Sequence, residues 1–469
     1  MPPSSTDPGT QPTSPQLSTP TPSRDGLRAE LGLLDATMIN VGTIVGSSIF
    51  IVPSSIAALF SGSLPTILVW VAGGIVSLFG ALAVAELGAA MPRAGGQYVY
   101  LERAFGPVWG YLYGWGAAVI INPASLAFVA VAFASYLGFF IPMSALAVKL
   151  VAAVSLLLLT ALNCLGLRVG ATTQNVLTFL KIGAILAFVI LCLALPGGSA
   201  ANIQPVWPVE PVGSLIAPFG LAMILVLGAY DGWIETTYVG SELRNPGRDM
   251  ARSMVFSTLL VSALYVGVSF ASLWVLGQAG TARSTLVAAD AMKVVLGPAG
   301  GALITIAILV STTGCNNGMV FTAARIPYAM ALEGRFFRWA ARLDPVRRSP
   351  NRVMVVQGFW ASALVFSGTY NQLLTYVVFV SFLFYALSSA AVIVLRRNEP
   401  AMPRPYRTWG YPVTPVVFIL FSGYLILNTI INAPRDSAIG GGLLLAGLPV
   451  YWWCRRRYGM ARSTRNPEP

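Results

Sequence analysis

The sequence predicts an all-α integral membrane protein of about twelve helices, built as two five-helix halves of opposite orientation, with helices 1 and 6 broken. Three observations carry this. The 469 residues are 56% hydrophobic and only 10% charged, with a mean hydropathy of +0.72, whereas soluble proteins carry about 25% charged residues. At about 20 apolar residues per span, the apolar stretches fill about twelve helices and leave no sizeable soluble domain. The second observation is Gly42-Thr43-Ile44-Val45-Gly46-Ser47-Ser48-Ile49-Phe50, in the middle of the first apolar segment. Its glycines and serines weaken a helix interior by up to about 1 kcal/mol each. The third is a similar interruption, Gly228-Ala229-Tyr230-Asp231-Gly232-Trp233, in the sixth apolar segment. An unsatisfied backbone group in hydrocarbon costs several kcal/mol, so broken helix at that depth survives only where it lines a cavity. Five spans separate the two breaks; an odd count inverts the repeat, and such paired breaks point to the binding site of a transporter.

In chain order, residues 1–29 are rich in Pro, Ser and Thr and are expected to form a disordered tail. They lack a signal-peptide pattern, so the first helix itself is expected to direct insertion. The predicted spans are 35–60, 65–90, 108–140, 145–166, 172–195, 214–240, 252–277, 298–332, 352–370, 372–395, 411–432 and 438–454. They group into a first repeat at 30–195, a second at 196–397, two further helices within 398–456, and a tail at 457–469. Arginines crowd alternate connections: Arg93, Arg103, Arg168, Arg244, Arg248, Arg252, the run from Arg335 to Arg352, Arg396, Arg397, Arg404, Arg407 and Arg455 to Arg457. The opposite connections hold only Arg283, Lys293, Arg435 and a helix-end Lys149. By the positive-inside rule both termini are expected in the cytoplasm of a cell whose plasma or inner membrane holds the chain. The segment from Met91 to Tyr100, running on to Gly106-Pro107, mixes aromatics with charge and is expected to be amphipathic or re-entrant. Residues 281–296 are expected to include a short extracellular amphipathic helix.

Composition excludes several function classes. The net charge of +12 (29 − 17) follows from membrane topology and requires no nucleic acid or other anionic partner. Cys164, Cys192, Cys315 and Cys454 have no paired spacing and are expected to be free thiols. There is no histidine, which removes a histidine proton relay and most zinc chemistry. No phosphate-binding loop, nucleophile elbow or metal cluster occurs, so neither an enzyme nor a cofactor is expected. A membrane-embedded nutrient sensor would be expected to carry a cytoplasmic output domain, and the tails are about 30 and 15 residues.

A charge near mid-bilayer costs at least about 2.5–3.5 kcal/mol on insertion scales, so each one asks for a reason. Lys181 lies well inside the fifth span. Its bland reading is a snorkelling side chain; its functional reading is an internal ammonium facing the first break, hydrogen-bonded to exposed carbonyls where a sodium ion would otherwise sit. Asp231 and Glu235 belong to the second break. Asp231 either caps the outgoing half-helix or binds a cationic group. Glu86 and Glu242 are expected to pair with arginines at the helix ends. Amides freed around Ser47, Ser48 and Ile49 make an anion site at a half-helix N-terminus, while carbonyls freed around Thr43, Ile44, Gly228 and Ala229 favour a cation. A site offering both fits a zwitterion such as an α-amino acid. Tyr230, Trp233, Thr313, Gly314, Asn316 and Asn317 are further candidate walls.

The stretch Gly42 to Phe50 resembles the first-helix signature of the amino acid–polyamine–organocation (APC) transporters. Ala85-Glu86-Leu87-Gly88, Pro92 to Tyr98, Asn163-Cys164, Lys181 and Tyr230 to Trp233 are similar to the L-type amino acid transporter (LAT) branch and its bacterial relatives. So are Glu242 to Pro246, Arg325, Glu333-Gly334 and Arg404 to Arg407, in the expected order from about residue 31 to 411. The resemblance implies a leucine-transporter-like 5+5 inverted repeat with two further C-terminal helices. It implies substrate binding by Ile44, Ser47 and Ser48 of the first helix and by Gly228, Ala229 and Asp231 of the sixth; Gly46, Ile49 and Tyr230, within the same two breaks, complete the expected binding set. Lys181 falls on the lysine that replaces a sodium site, which implies sodium-independent transport of neutral L-amino acids, by exchange through alternating access. Ser48 stands where the family usually has glycine, and Gly228 where members often place a gating aromatic. The loop after the third span has no cysteine, so no disulfide-linked heavy subunit is expected beside the amino acid substrate and the lipid bilayer. The alternatives are a proton-coupled symporter and a cationic amino acid or polyamine carrier with Asp231 as counter-ion.

Overall fold

A computed structural model describes residues 26–208, 211–367 and 370–458. The two expected tails fall almost wholly outside them. The described chain is helical, with isolated bridges such as Leu31 to Leu243 and Ala94 to Val239 and no β-strand among the described residues.

The first predicted span is two helices, α1 (Leu33–Ile44) and α2 (Ser48–Ala57), bent by 46° across Val45–Ser47. Then follow α3 (Ser63–Ala90), α4 (Gln97–Phe105), α5 (Pro107–Gly116), α6 (Asn122–Leu137), α7 (Ala145–Asn163) and α8 (Leu167–Ala194). The next are α9 (Ile216–Ala229), α10 (Pro246–Arg283), α11 (Val287–Leu296), α12 (Pro298–Ala323) and α13 (Arg325–Leu332). The last are α14 (Asn351–Ser367), α15 (Tyr370–Asn398), α16 (Val413–Asn432), α17 (Pro434–Leu445) and α18 (Gly447–Tyr458). Prolines open α5, α10, α12 and α17, where the missing N–H is no loss.

Among the described residues nine helices are long and apolar enough to cross a membrane, or ten with the bent pair α1 and α2 as one span. The two other predicted spans contain shorter helices, α9 with 14 residues and α14 with 17. The expected amphipathic segments at 91–107 and 281–296 contain α4 and α11. One expectation needs correction. The sixth span is expected over 214–240, broken at 228–233 with a half-helix beyond; α9 ends at Ala229 within that break, but the chain past it continues as two single turns of 3₁₀ helix, Glu235–Tyr238 and Gly240–Glu242, in place of the half-helix. Gly232 at φ +115° leaves right-handed helix, and the β-branched run Ile234, Thr236, Thr237 and Val239 supports it poorly.

Within the bundle α1 is enclosed by α8, α10 and α12, and α3 packs along α10. The joint between α5 and α6 is a widened turn, Ala117–Ile121. Pro123 has no N–H for the Val119 carbonyl, one turn back, and the Trp360 indole donates to that oxygen instead, at 3.0 Å. The outward faces of α7, α8 and α16 are apolar and exposed, as a lipid-facing belt requires.

Candidate functional site

The break between α1 and α2, the end of α9, the start of α6, and parts of α12 and α15 enclose a cavity of about 60 Å³. About 10–15 Å³ holds one water, so this is room for a small solute. Its wall includes Thr43, Ile44, Gly46, Ser47 and Ser48 from the first break, and Gly228, Ala229, Asp231 and Gly232 from the second. Asn122 and Ser125 enter from α6, Glu235 and Tyr238 from the 3₁₀ turn, Cys315 from α12 and Tyr385 from α15.

The break leaves carbonyls without helical partners, and buried side chains take them up. Lys181, 1% exposed, donates from Nζ to the Gly42 oxygen at 2.7 Å and the Val45 oxygen at 2.6 Å. Ser311 also reaches the Val45 oxygen, at 3.0 Å, and the Cys315 thiol meets the Thr43 oxygen at 3.1 Å. The Tyr265 hydroxyl lies 2.9 Å from the Ile44 oxygen and 3.2 Å from the Ala229 oxygen, so one side chain ties the two breaks together. Gly232 presses on the same place: a Cβ there would stand 2.9 Å from the Ile44 nitrogen. The carbonyls of Thr43, Ile44 and Ala229, read from the sequence as a cation site, each already have a protein donor.

What remains open at the cavity is different. Ser47 Oγ and Asn122 Nδ2 are buried without a hydrogen-bond partner. Ser48 and Ile49 supply the first N–H groups of α2, which have no intrahelical acceptor, and the Ser47 side chain does not cap them. Across the cavity Asp231 Oδ1 accepts from the Gly232 amide at 2.9 Å and the Tyr385 hydroxyl at 2.6 Å. Thr322 donates to Glu235.

Ile44, Gly46, Ser47, Ser48, Gly228, Ala229 and Asp231 therefore stand on one wall system, with Lys181 directly behind it. Ile49 and Tyr230 do not line the cavity. The Tyr230 hydroxyl donates to the Trp70 carbonyl at 3.1 Å, and its ring packs 5.0 Å from that of Tyr265. Trp233 packs on Tyr385 and Phe418. Thr313, Gly314, Asn316 and Asn317 are also off the wall; Asn317 instead joins Asn163 and Gln174. Sequence reasoning missed Asn122, Ser125, Tyr238 and Tyr385. The one available signal was Asn122-Pro123, a polar residue and a helix breaker inside an apolar span.

Towards the arginine-rich end the cavity rests on ion pairs. Arg325 grips Glu242 with Nε to Oε1 at 2.7 Å and Nη2 to Oε2 at 3.1 Å, both side chains 1% exposed. Glu86 accepts from Arg396 at 2.6 and 2.9 Å, from the Thr408 amide at 2.7 Å, and meets Arg404 at 3.2 Å. On α4, Glu102 contacts Arg335 and shares a site with Glu333, which accepts from Tyr98 at 2.6 Å and Arg93 at 2.9 Å. Burial first, then the Glu333 charge, pushes the Glu102 carboxyl up to about 7 against the pull of Arg335.

The amino acid permease profile matches residues 31–454. The b(0,+)-type amino acid transporter 1 of Mus musculus is 33% identical over 448 residues, covering 94% of this chain and 91% of that one. The serine/threonine exchanger SteT of Bacillus subtilis is 30% identical over 442 residues, covering 92% and 98%. The large neutral amino acids transporter small subunit 2 of Mus musculus is 31% identical over 442 residues, covering 91% and 81%.

Proposed function

The chain belongs to the amino acid permease family, and from that premise we propose that it is a secondary-active, sodium-independent transporter of neutral L-amino acids, working by exchange through alternating access. The observation that carries this reading is the Lys181 ammonium, seated on the Gly42 and Val45 carbonyls. A fixed cation there does the structural work of a bound sodium ion. The substrate carboxylate would sit on the amides of Ser48 and Ile49 with the Ser47 hydroxyl, and its ammonium between the second break and Asp231. The two breaks then belong to two inverted five-helix halves that rock about the cavity, in the plasma or inner membrane with both termini cytoplasmic. The small cavity and the likeness to a serine/threonine exchanger support a compact side chain. The connection from α6 to α7 contains no cysteine, which supports action without a disulfide-linked subunit.

Uptake of labelled neutral amino acids into proteoliposomes tests this. Stimulation by internal unlabelled amino acid, unchanged by sodium, is the expected result; sodium-driven uptake into empty vesicles would overturn it. A second reading is favoured by one observation: Asp231, a carboxylate, stands on the cavity wall. Transport of arginine or a polyamine in place of neutral substrates would make Asp231 their counter-ion. Uptake driven by a proton gradient would make the protein a symporter.

A further inference from the structure

A second cavity, of about 610 Å³, opens on the protein's outer face at the arginine-rich end, between the start of α10 and the connection 399–411 that leads into α16. Along α10, Arg248, Arg252 and Phe256 follow at intervals of four and share one face, each about 6 Å beyond the last. Passing from the helix end into the membrane, this face reads cation, cation, aromatic ring. Tyr406 and Trp409 form the opposite wall. Phe256 is 52% and Trp409 67% exposed, as suits the aromatic belt of a bilayer interface.

The wall is held in place independently of anything the groove could contain. Arg396 and Arg404 point inward to Glu86, and Arg404 also donates to the carbonyls of Leu395, Glu399 and Met402 at 2.9–3.0 Å. Gly247 lets the connection approach closely: a Cβ there would stand 3.3 Å from Pro405. The groove's own cations are differently placed. Arg248 donates to Asp249 at 2.7 Å, while Arg252 is exposed and has no hydrogen bond or ion pair among the described residues. A free guanidinium beside a partly paired one, above an apolar trough, matches a phosphate joined to an acyl chain.

We propose that this groove binds an anionic glycerophospholipid of the surrounding leaflet, with its phosphate on Arg252 and Arg248 and its acyl chain along Val255 and Phe256. The lipid would bridge α10 to the connection before α16. Native mass spectrometry of the full chain in neutral detergent, titrated with phosphatidylglycerol or phosphatidylcholine, tests it. Wild-type protein is expected to bind phosphatidylglycerol about tenfold more tightly than phosphatidylcholine. Arg252→Gln is expected to reduce that preference to about twofold, while Arg435→Gln in α17, beyond the far end of α16, leaves it unchanged. Should Arg252→Gln not yield folded protein, Trp409→Ala, which keeps both arginines, is expected to weaken phosphatidylglycerol about threefold. Equal binding of the two lipids by the wild type, a preference retained in full by Arg252→Gln, or undiminished phosphatidylglycerol binding by Trp409→Ala overturns the proposal. So does displacement of phosphatidylglycerol by millimolar inorganic phosphate, which would make the site one for free anions.

Discussion

Lys181 and Gly232 hold the site together by opposite means, one by filling space with charge and the other by leaving space empty. Replacing Lys181 with Met leaves the buried Gly42 carbonyl without a donor and that of Val45 with Ser311 alone, and an unsatisfied buried group costs about 1–3 kcal/mol. Lys181→Met is expected to slow exchange in proteoliposomes by at least about thirtyfold, and wild-type turnover would remove its role. Gly232→Ala meets two penalties: a left-handed backbone at φ +115°, disfavoured by about 1–2 kcal/mol for other residues, and a Cβ 2.9 Å from the Ile44 nitrogen. It is expected to lower the Tm in detergent and to raise the KM for substrate. Both residues stand out in the sequence, because a lysine in hydrocarbon and a glycine beside an intramembrane aspartate are anomalies. Asn122 and Tyr385 are not anomalous; a buried polar residue gives no clue to which cavity it faces until distant helices are brought together. Ile49 and Tyr230 show the converse limit. They sit inside the right motifs, but side-chain direction along a broken helix does not follow from spacing.

Between helices, the supports at the arginine-rich end make separable predictions. The Arg325–Glu242 pair is bidentate and enclosed. Losing one partner leaves an uncompensated buried charge, so Arg325→Ala is expected to destabilise by about 3–5 kcal/mol, read as a lower Tm. The Glu102 carboxyl is pushed up to about 7 from an ordinary value of 4.5, so the folded state holds a proton that the unfolded chain releases. Its contribution is complete below about 4.5 and is lost as pH rises through about 7. Between pH 5 and 8 the wild-type Tm is expected to fall relative to that of Glu102→Gln, which keeps a donor facing Glu333. A constant difference across that range would refute the assignment. The first break was legible because glycine and serine interrupt an otherwise apolar helix. The outgoing part of the second was misread as helix, since its apolar β-branched residues satisfy hydropathy while disfavouring helical backbone.

Across the whole molecule, composition alone made the membrane assignment, because so few charges cannot keep a chain of this size in water. The number of spans is less legible. α9 is too short to be counted by length, and α5 and α6 are joined through a widened turn whose repair by Trp360 no local pattern announces. The proposed orientation has a direct check. Single cysteines at positions 397 and 435, which flank α16 and its preceding connection, are expected to differ in intact cells. With Cys164 replaced by Ser, an impermeant thiol reagent should label 435 and not 397; the reverse would invert the topology. The ammonium on the Gly42 and Val45 carbonyls has an energetic consequence at this scale. Being covalently tethered, it cannot run down a gradient, so it performs no osmotic work however many times the carrier turns over. In the proposed cycle a neutral-for-neutral swap is then blind to membrane voltage. A cationic-for-neutral swap moves one elementary charge, worth about 2.3 kcal/mol per 100 mV, or roughly fiftyfold in the accumulation ratio.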